Sequence, residues 1–171
     1  MDQDNLIFDV ANWFLNKAAM SHKKLQKLCY YAYAWYLVFA NDVEALPPDA
    51  TADFLVKMGS NRFQAWVHGP VCPALFEKYR DFRWCLIDRY PEDVDIPDET
   101  LTEVLRQVWE VYGGYTGEDL EYITHQESPW QKARGDLPLD APCCTPIDEM
   151  EMYRCYSSRS ARYRSAQNGE Q

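Results

Sequence analysis

The sequence predicts a mainly α, compact multi-helix domain built around a central helix, with one small β-hairpin. Three observations carry this. Residues 21–40, SHKKLQKLCYYAYAWYLVFA, contain no Gly or Pro, and Leu25, Leu28, Cys29, Ala32, Trp35, Tyr36 and Phe39 recur at three- and four-residue steps, the repeat of one helix face. Tyr30, Tyr33 and Leu37 run along a second face, so only the end holding His22, Lys23, Lys24 and Lys27 is strongly polar. A helix that is wet at one end and apolar on most sides beyond it belongs at a domain centre. Further stretches along the chain repeat the same period behind helix-start residues. Finally, Gly59, Ser60 and Asn61 separate two short runs, 54–58 and 62–67, which read as a hairpin.

In order, the first helix spans about 5–17, with Leu6, Ile7, Val10, Trp13 and Phe14 on one stripe and Asp4 or Asn5 as its cap. Ser21 caps the central helix, which stops near Asn41 and Asp42; Pro47 and Pro48 then impose irregular backbone. His68-Gly69-Pro70-Val71 is a tight corner, and Pro73 starts a helix with Leu75, Phe76, Tyr79 and Phe82 spaced for burial. Residues 83–97 are loop, with an acidic run (Glu92, Asp93, Asp95, Asp98, Glu99) entering the next helix, a favourable place for negative charge. That helix, 100–112, directs Leu101, Val104, Leu105, Val108 and Val111 inward and ends at Gly113-Gly114. Thr116 opens another, carrying Leu120, Ile123 and Thr124. Ser128-Pro129-Trp130-Gln131 has the order of a capping box, with Ser at the cap and Gln three residues on. Its helix stops at Gly135. Thr145-Pro146-Ile147-Asp148 begins the last helix, which ends near Tyr156 with Ile147, Met150 and Tyr153 inward. Residues 1–156 form one domain. Residues 157–171, SSRSARYRSAQNGEQ, lack periodicity and are expected to be a disordered, Arg-containing tail, with a short Arg-mediated binding segment as the alternative.

The chain's 171 residues are enough to bury a core without disulfide or metal staples. A net charge of −10 argues against a general nucleic-acid binder, which needs a basic face, and suits either simple solubility or a basic protein partner. No stretch has the roughly 18 apolar residues of a membrane span, and the acidic start MDQDNLIFDV lacks a signal peptide's basic and apolar regions. A cytoplasmic location with reduced cysteines is therefore expected. The six cysteines form no C-x-x-C pair, and adjacent Cys143 and Cys144 do not suit an ordinary disulfide, so no metal or cofactor is expected.

No phosphate-cradling Gly pattern, nucleophile elbow or H-E-x-x-H motif is present. Three histidines exist. His22 is expected to face solvent. His68 is placed to fix its corner by a backbone hydrogen bond. His125 lies in Thr124-His125-Gln126-Glu127-Ser128-Pro129-Trp130, where Glu127 and Arg134 form with it either a polar acid/base site or a structural helix-end arrangement with an Arg–Glu pair. No catalytic residue is assigned.

Three stretches together resemble a known family. They are Leu25-Gln26-Lys27-Leu28-Cys29-Tyr30-Tyr31-Ala32 with Trp35 and Leu37; Ala65-Trp66-Val67-His68-Gly69-Pro70-Val71 with Tyr79 and Arg80; and Tyr112-Gly113, Leu120-Glu121, the 124–130 segment, and Ala133-Arg134. In this order, over about 5–156, the chain is similar to the Panacea domain, the SocA-like group of phage-associated and antitoxin proteins. Cys29 departs from the aliphatic residue expected there, and the 143–144 cysteines and the Arg tail are not features of the family. The resemblance implies a helical domain, not an enzyme, that neutralises a cognate toxin by direct complex formation. It also implies an alternative, an adaptor delivering a toxin to a Clp-type protease; for that role the segment after Ser157 is the candidate protease contact. The candidate binding residues are Lys23, Lys24 and Lys27, the corner at His68, Gly69 and Pro70, and His125, Glu127, Trp130 and Arg134, with the acidic loop 92–99 as a further exposed surface.

Overall fold

The computed structural model describes residues 5–42 and 45–168, with side chains through residue 162. Helix α1 (Leu6–Lys17) leads through β1 (Met20–Ser21) into α2 (His22–Phe39), the predicted central helix. Ser21 caps α2, its hydroxyl accepting from the Lys24 N–H at 3.2 Å. α2 packs against α1, α3 (Pro73–Tyr79), α4 (Glu99–Tyr112), α5 (Gly117–His125) and α7 (Glu149–Asn168). Leu25, Leu28, Cys29, Ala32 and Leu37 are fully enclosed, as are Tyr30 and Tyr31. α6 (Ser128–Arg134) completes seven helices among the described residues. The mainly α architecture around a central helix is as expected.

Burying a row of tyrosines requires partners for their hydroxyls. Tyr30 is the exception, its hydroxyl having no partner among the described residues; the others find acids on surrounding elements. Tyr31 and Tyr156 both donate to Glu127, at 3.2 and 2.6 Å. Tyr33 donates to Glu149, and Tyr36 to Asp98 at 2.6 Å. Asp98 also caps α4, accepting from the Leu101 N–H. The stacked pair Tyr31–Tyr112, 4.0 Å between ring centres, fixes α4 against α2.

The hairpin exists but in another place. β2 (Gln64–Trp66) pairs antiparallel with β3 (Gly69–Val71) across a two-residue turn at Val67-His68. Residues 54–58 are not a strand: Ala52–Phe54 is a 3-10 turn, and Phe54 and Val56 face solvent. Two sets of side-chain bonds hold this segment instead. Asn41 bonds both backbone groups of Val56, and Lys57 and Arg62 each pair with Glu149 at 2.8 Å. The other edge of β2 is taken by the segment entering α7, through Ala65 N–H to Thr145 O and Ile147 N–H to Phe63 O. A second ladder, β1 with β4 (Leu86–Ile87), was not expected; at two residues per strand it carries no pattern in the sequence.

Smaller differences have local causes. Asn5 begins α1 without a side-chain cap bond, and Asp4 lies outside the described residues. Val111, expected inward, is exposed because it lines an open groove between α2, α4 and α7 rather than the core. No capping box opens α6: its cap is Glu127, while the Ser128 hydroxyl donates to Glu151 on α7 and Gln131 reaches back to His125 O. The tail is the largest correction. α7 continues through Asn168 rather than ending near Tyr156, and residues 169–171 lie outside the described residues. The helix persists because Arg159, one turn beyond Tyr156, bonds Glu127 at 2.7 Å and lies over the Tyr156 ring.

Removing residues 157–171, harmless for a free tail, is expected to destabilise the domain by about 1.5–3 kcal/mol, the usual worth of a hydrogen bond to a charged group. Arg159→Ala should reproduce most of the loss. Urea unfolding of the two variants against the parent checks both.

Candidate functional site

The stretches that resemble the family meet in one place, where the N-terminal half of α2, the β2–β3 hairpin and the α5–α6 segment pack together. The corner is the keystone. Gly69 has φ +91, and a side chain there would meet Lys27 Cε at 2.6 Å and Thr124 Oγ1 at 2.8 Å. Gly69 and Pro70 are therefore buried contacts, not a surface. Beneath them Lys27 donates to Pro70 O at 3.0 Å.

The three lysines have three different fates. Lys27, expected on the surface, is 1% exposed. Burial pushes its pKa down to about 7, with Glu121 working against that and Lys23 adding to it. Lys24 donates to Gly113 O at 2.6 Å and so caps the end of α4. Lys23 pairs with Glu121 at 2.7 Å and Glu118 at 3.3 Å on α5. His68 is exposed and reaches a carboxylate rather than backbone, with Nδ1 2.9 Å from Glu121. Burial works to raise the Glu121 pKa, but bonds from Lys23 and His68 outweigh it and hold the carboxyl below its ordinary range.

His22, expected in solvent, is buried and stacks on Phe76 at 5.6 Å. Its protonation can be deduced from its neighbour. Gln26 Oε1 accepts from the Cys72 N–H, so Gln26 Nε2 is the amide nitrogen and donates both to Cys72 O and to His22 Nε2. His22 Nε2 is thus an acceptor, and the neutral ring carries its proton on Nδ1. Burial first, and the Lys27 charge second, push its pKa down to about 4, in agreement with this.

His125, Glu127 and Arg134 do not form a joint polar site. His125 stacks on Trp130 at 4.0 Å, and burial leads in lowering its pKa. Arg134 lies 4.9 Å from the Trp130 ring and donates to the carbonyls of Ala65, Pro138, Leu139 and Ala141. Glu127 turns away to Tyr31, Tyr156 and Arg159, so the expected Arg134–Glu127 pair is replaced by Arg159–Glu127. Trp130 is buried, its indole N–H donating to Trp66 O at 2.9 Å. These residues clamp α6 onto the hairpin.

What the clamp leaves open is a groove of about 780 Å³ beside the start of α2. His22, Lys23 and Lys27 line it from α2, Trp66 from the hairpin and Phe76 from α3; Arg83 and Trp84 stand at its rim. Trp84 is 94% exposed. It follows Arg83, the one non-glycine residue with positive φ among the described residues (φ 50), and precedes β4. Sequence reasoning missed Arg83 and Trp84, since nothing local distinguishes an exposed Trp from a buried one. A smaller groove of about 450 Å³, lined by Trp35, Phe39, Val104, Val108, Val111 and Arg159, lies between α2, α4 and α7.

Two outcomes follow from this packing. Gly69→Ala is expected to lose about 1–3 kcal/mol from backbone strain alone, seen as a lower urea midpoint. For Lys27 the sign is set by its depressed pKa. Between about 7 and its ordinary 10.5 the unfolded chain holds a proton that the folded chain lacks, so Lys27 makes stability rise with pH across that window. The slope is at most about 1.4 kcal/mol per pH unit. Lys27→Met lacks this contribution, so urea titrations should find the variant most favoured relative to the parent below the window and least favoured above it.

Among the described residues no helix is long and apolar enough to cross a membrane, and no group of three or more His, Cys, Asp or Glu could hold a metal ion. No curated protein and no solved structure matches the chain significantly. Residues 25–131 match the family model described as "Antitoxin SocA-like, Panacea domain". The matched span starts within α2 and ends within α6, narrower than the 5–156 suggested by the motifs, and holds the clamp except Arg134 and most of the groove lining. That is more than half of the chain, and it includes all three resembling stretches up to Gln131; the chain belongs to the SocA-like antitoxin, Panacea domain family.

Proposed function

We propose that this protein is an antitoxin that neutralises a cognate toxin, encoded beside it, by forming a stoichiometric complex in the cytoplasm. The observation that carries the reading is membership of the SocA-like antitoxin family over residues 25–131. The molecule's chemistry is in keeping with it. The residues eligible for acid/base work are engaged in packing, whereas Trp84 stands exposed beside a groove. Exposed aromatic anchors are typical of binding surfaces. In this reading the protein acts by covering its partner and turns over no substrate. No observation favours delivery to a Clp-type protease over simple neutralisation, because the first turn of the tail assigned to the protease contact holds Glu127 instead.

Co-expression with the product of the adjacent gene tests the proposal. Growth inhibition by that product should be relieved by this protein, and the two should co-purify at a fixed ratio through size-exclusion chromatography. Unrelieved inhibition without a complex would overturn the assignment.

A further inference from the structure

We infer that the groove at the start of α2 receives an acidic segment of the toxin, with a carboxylate seated over Lys27 and beside Arg83 and an adjoining apolar side chain against Trp84. The inference rests on the proposed antitoxin function and specifies which surface performs it.

The first argument is the state of Lys27. An ammonium has three N–H donors, and this one, almost wholly buried at the groove floor, has a single acceptor, Pro70 O. Among the described residues no carboxylate lies within ion-pair distance of it. The acid it senses most strongly, Glu121, is already engaged by Lys23 and His68. Its ammonium form, buried without a counter-ion, is costly, and an incoming carboxylate would favour that form over the neutral amine.

The other groups in the groove offer that ammonium form no counter-ion. His22 is neutral, and both ends of the Gln26 amide are engaged. Glu118, the one acidic residue in the lining, is paired with Lys23. Arg83 at the rim is in no ion pair among the described residues, and it adds a second cation on the same side. Against a molecule of net charge −10 this is a local exception. An acidic segment is repelled by most of the surface and drawn here, which selects the site and its orientation.

Trp84 supplies the apolar half of the contact. Its loop is held on one side by the 3-10 turn Arg80–Phe82 and on the other by the β4–β1 ladder, which joins it to the residue capping α2. A nearly fully exposed Trp held next to a groove is poised to bury a large area without first ordering its backbone.

The test uses the purified toxin and the full-length protein. Trp84→Ala and Arg83→Glu alter exposed residues and should leave the urea midpoint unchanged. Each should weaken toxin binding in calorimetry, Trp84→Ala by about 30-fold as for an interface anchor, and Arg83→Glu by an amount that shrinks as salt is raised. Among overlapping synthetic peptides covering the toxin, the one that binds should carry Asp or Glu and lose binding when these are changed to Asn or Gln. Variant affinities within about twofold of the parent, or a bound peptide indifferent to loss of its acids, would overturn the inference while leaving the antitoxin function intact. Conversion of a dimer of this protein to monomer by Trp84→Ala would also overturn it, since the occupant would then be a second copy. Failure of the unaltered protein to bind the toxin would instead remove the proposed function itself.

Discussion

The fold depends on one buried carboxylate. Glu127, 2% exposed at the junction of α5 and α6, accepts from Tyr31 of α2 and from Tyr156 and Arg159 of α7. A charge removed from water must be matched where it sits. Here the match comes from helices far apart in the chain, so it forms only when α2, α7 and the α5–α6 turn are all in place. The stretch after Ser157 is structural for this reason: without Arg159, Glu127 would be a buried anion with only two hydroxyls.

The same logic is repeated along α2. Tyr33 reaches Glu149, and Glu149 in turn holds Lys57 and Arg62, so an otherwise irregular segment is pinned from the centre outward. Tyr36 reaches Asp98, which caps α4. Large aromatic bodies fill the core while their polar tips select acids on surrounding elements. The central helix therefore specifies the positions of its neighbours as well as burying apolar area.

The family motifs prove to be mainly architectural. Gly69 makes room for Lys27, Trp130 hangs from Trp66 O, and Arg134 gathers four carbonyls around the end of α6. Together these contacts form a clamp of α6 on the hairpin. The groove beside it takes its lining partly from residues that belong to no motif, Phe76, Arg83 and Trp84 among them.

The helices, including α2 with its Ser21 cap, were legible in the sequence because their signals are local: period, caps and breakers act within a turn or two of chain. Family membership was legible because the motif residues stand in order along the chain over 25–131. Three things were decided only by tertiary structure. The hairpin moved from 54–67 to 64–71 because Glu149 and Asn41, distant in sequence, hold the segment that looked like its first strand. The tail became helix because its arginine answers a buried charge 32 residues away. Lys27 and His22 exchanged their expected exposure, drawn inward by Pro70, Gln26 and Phe76, and the exposure of Trp84 is set by the loop between α3 and β4. A side chain's type says what partner it needs, and only the folded chain determines whether that partner is present.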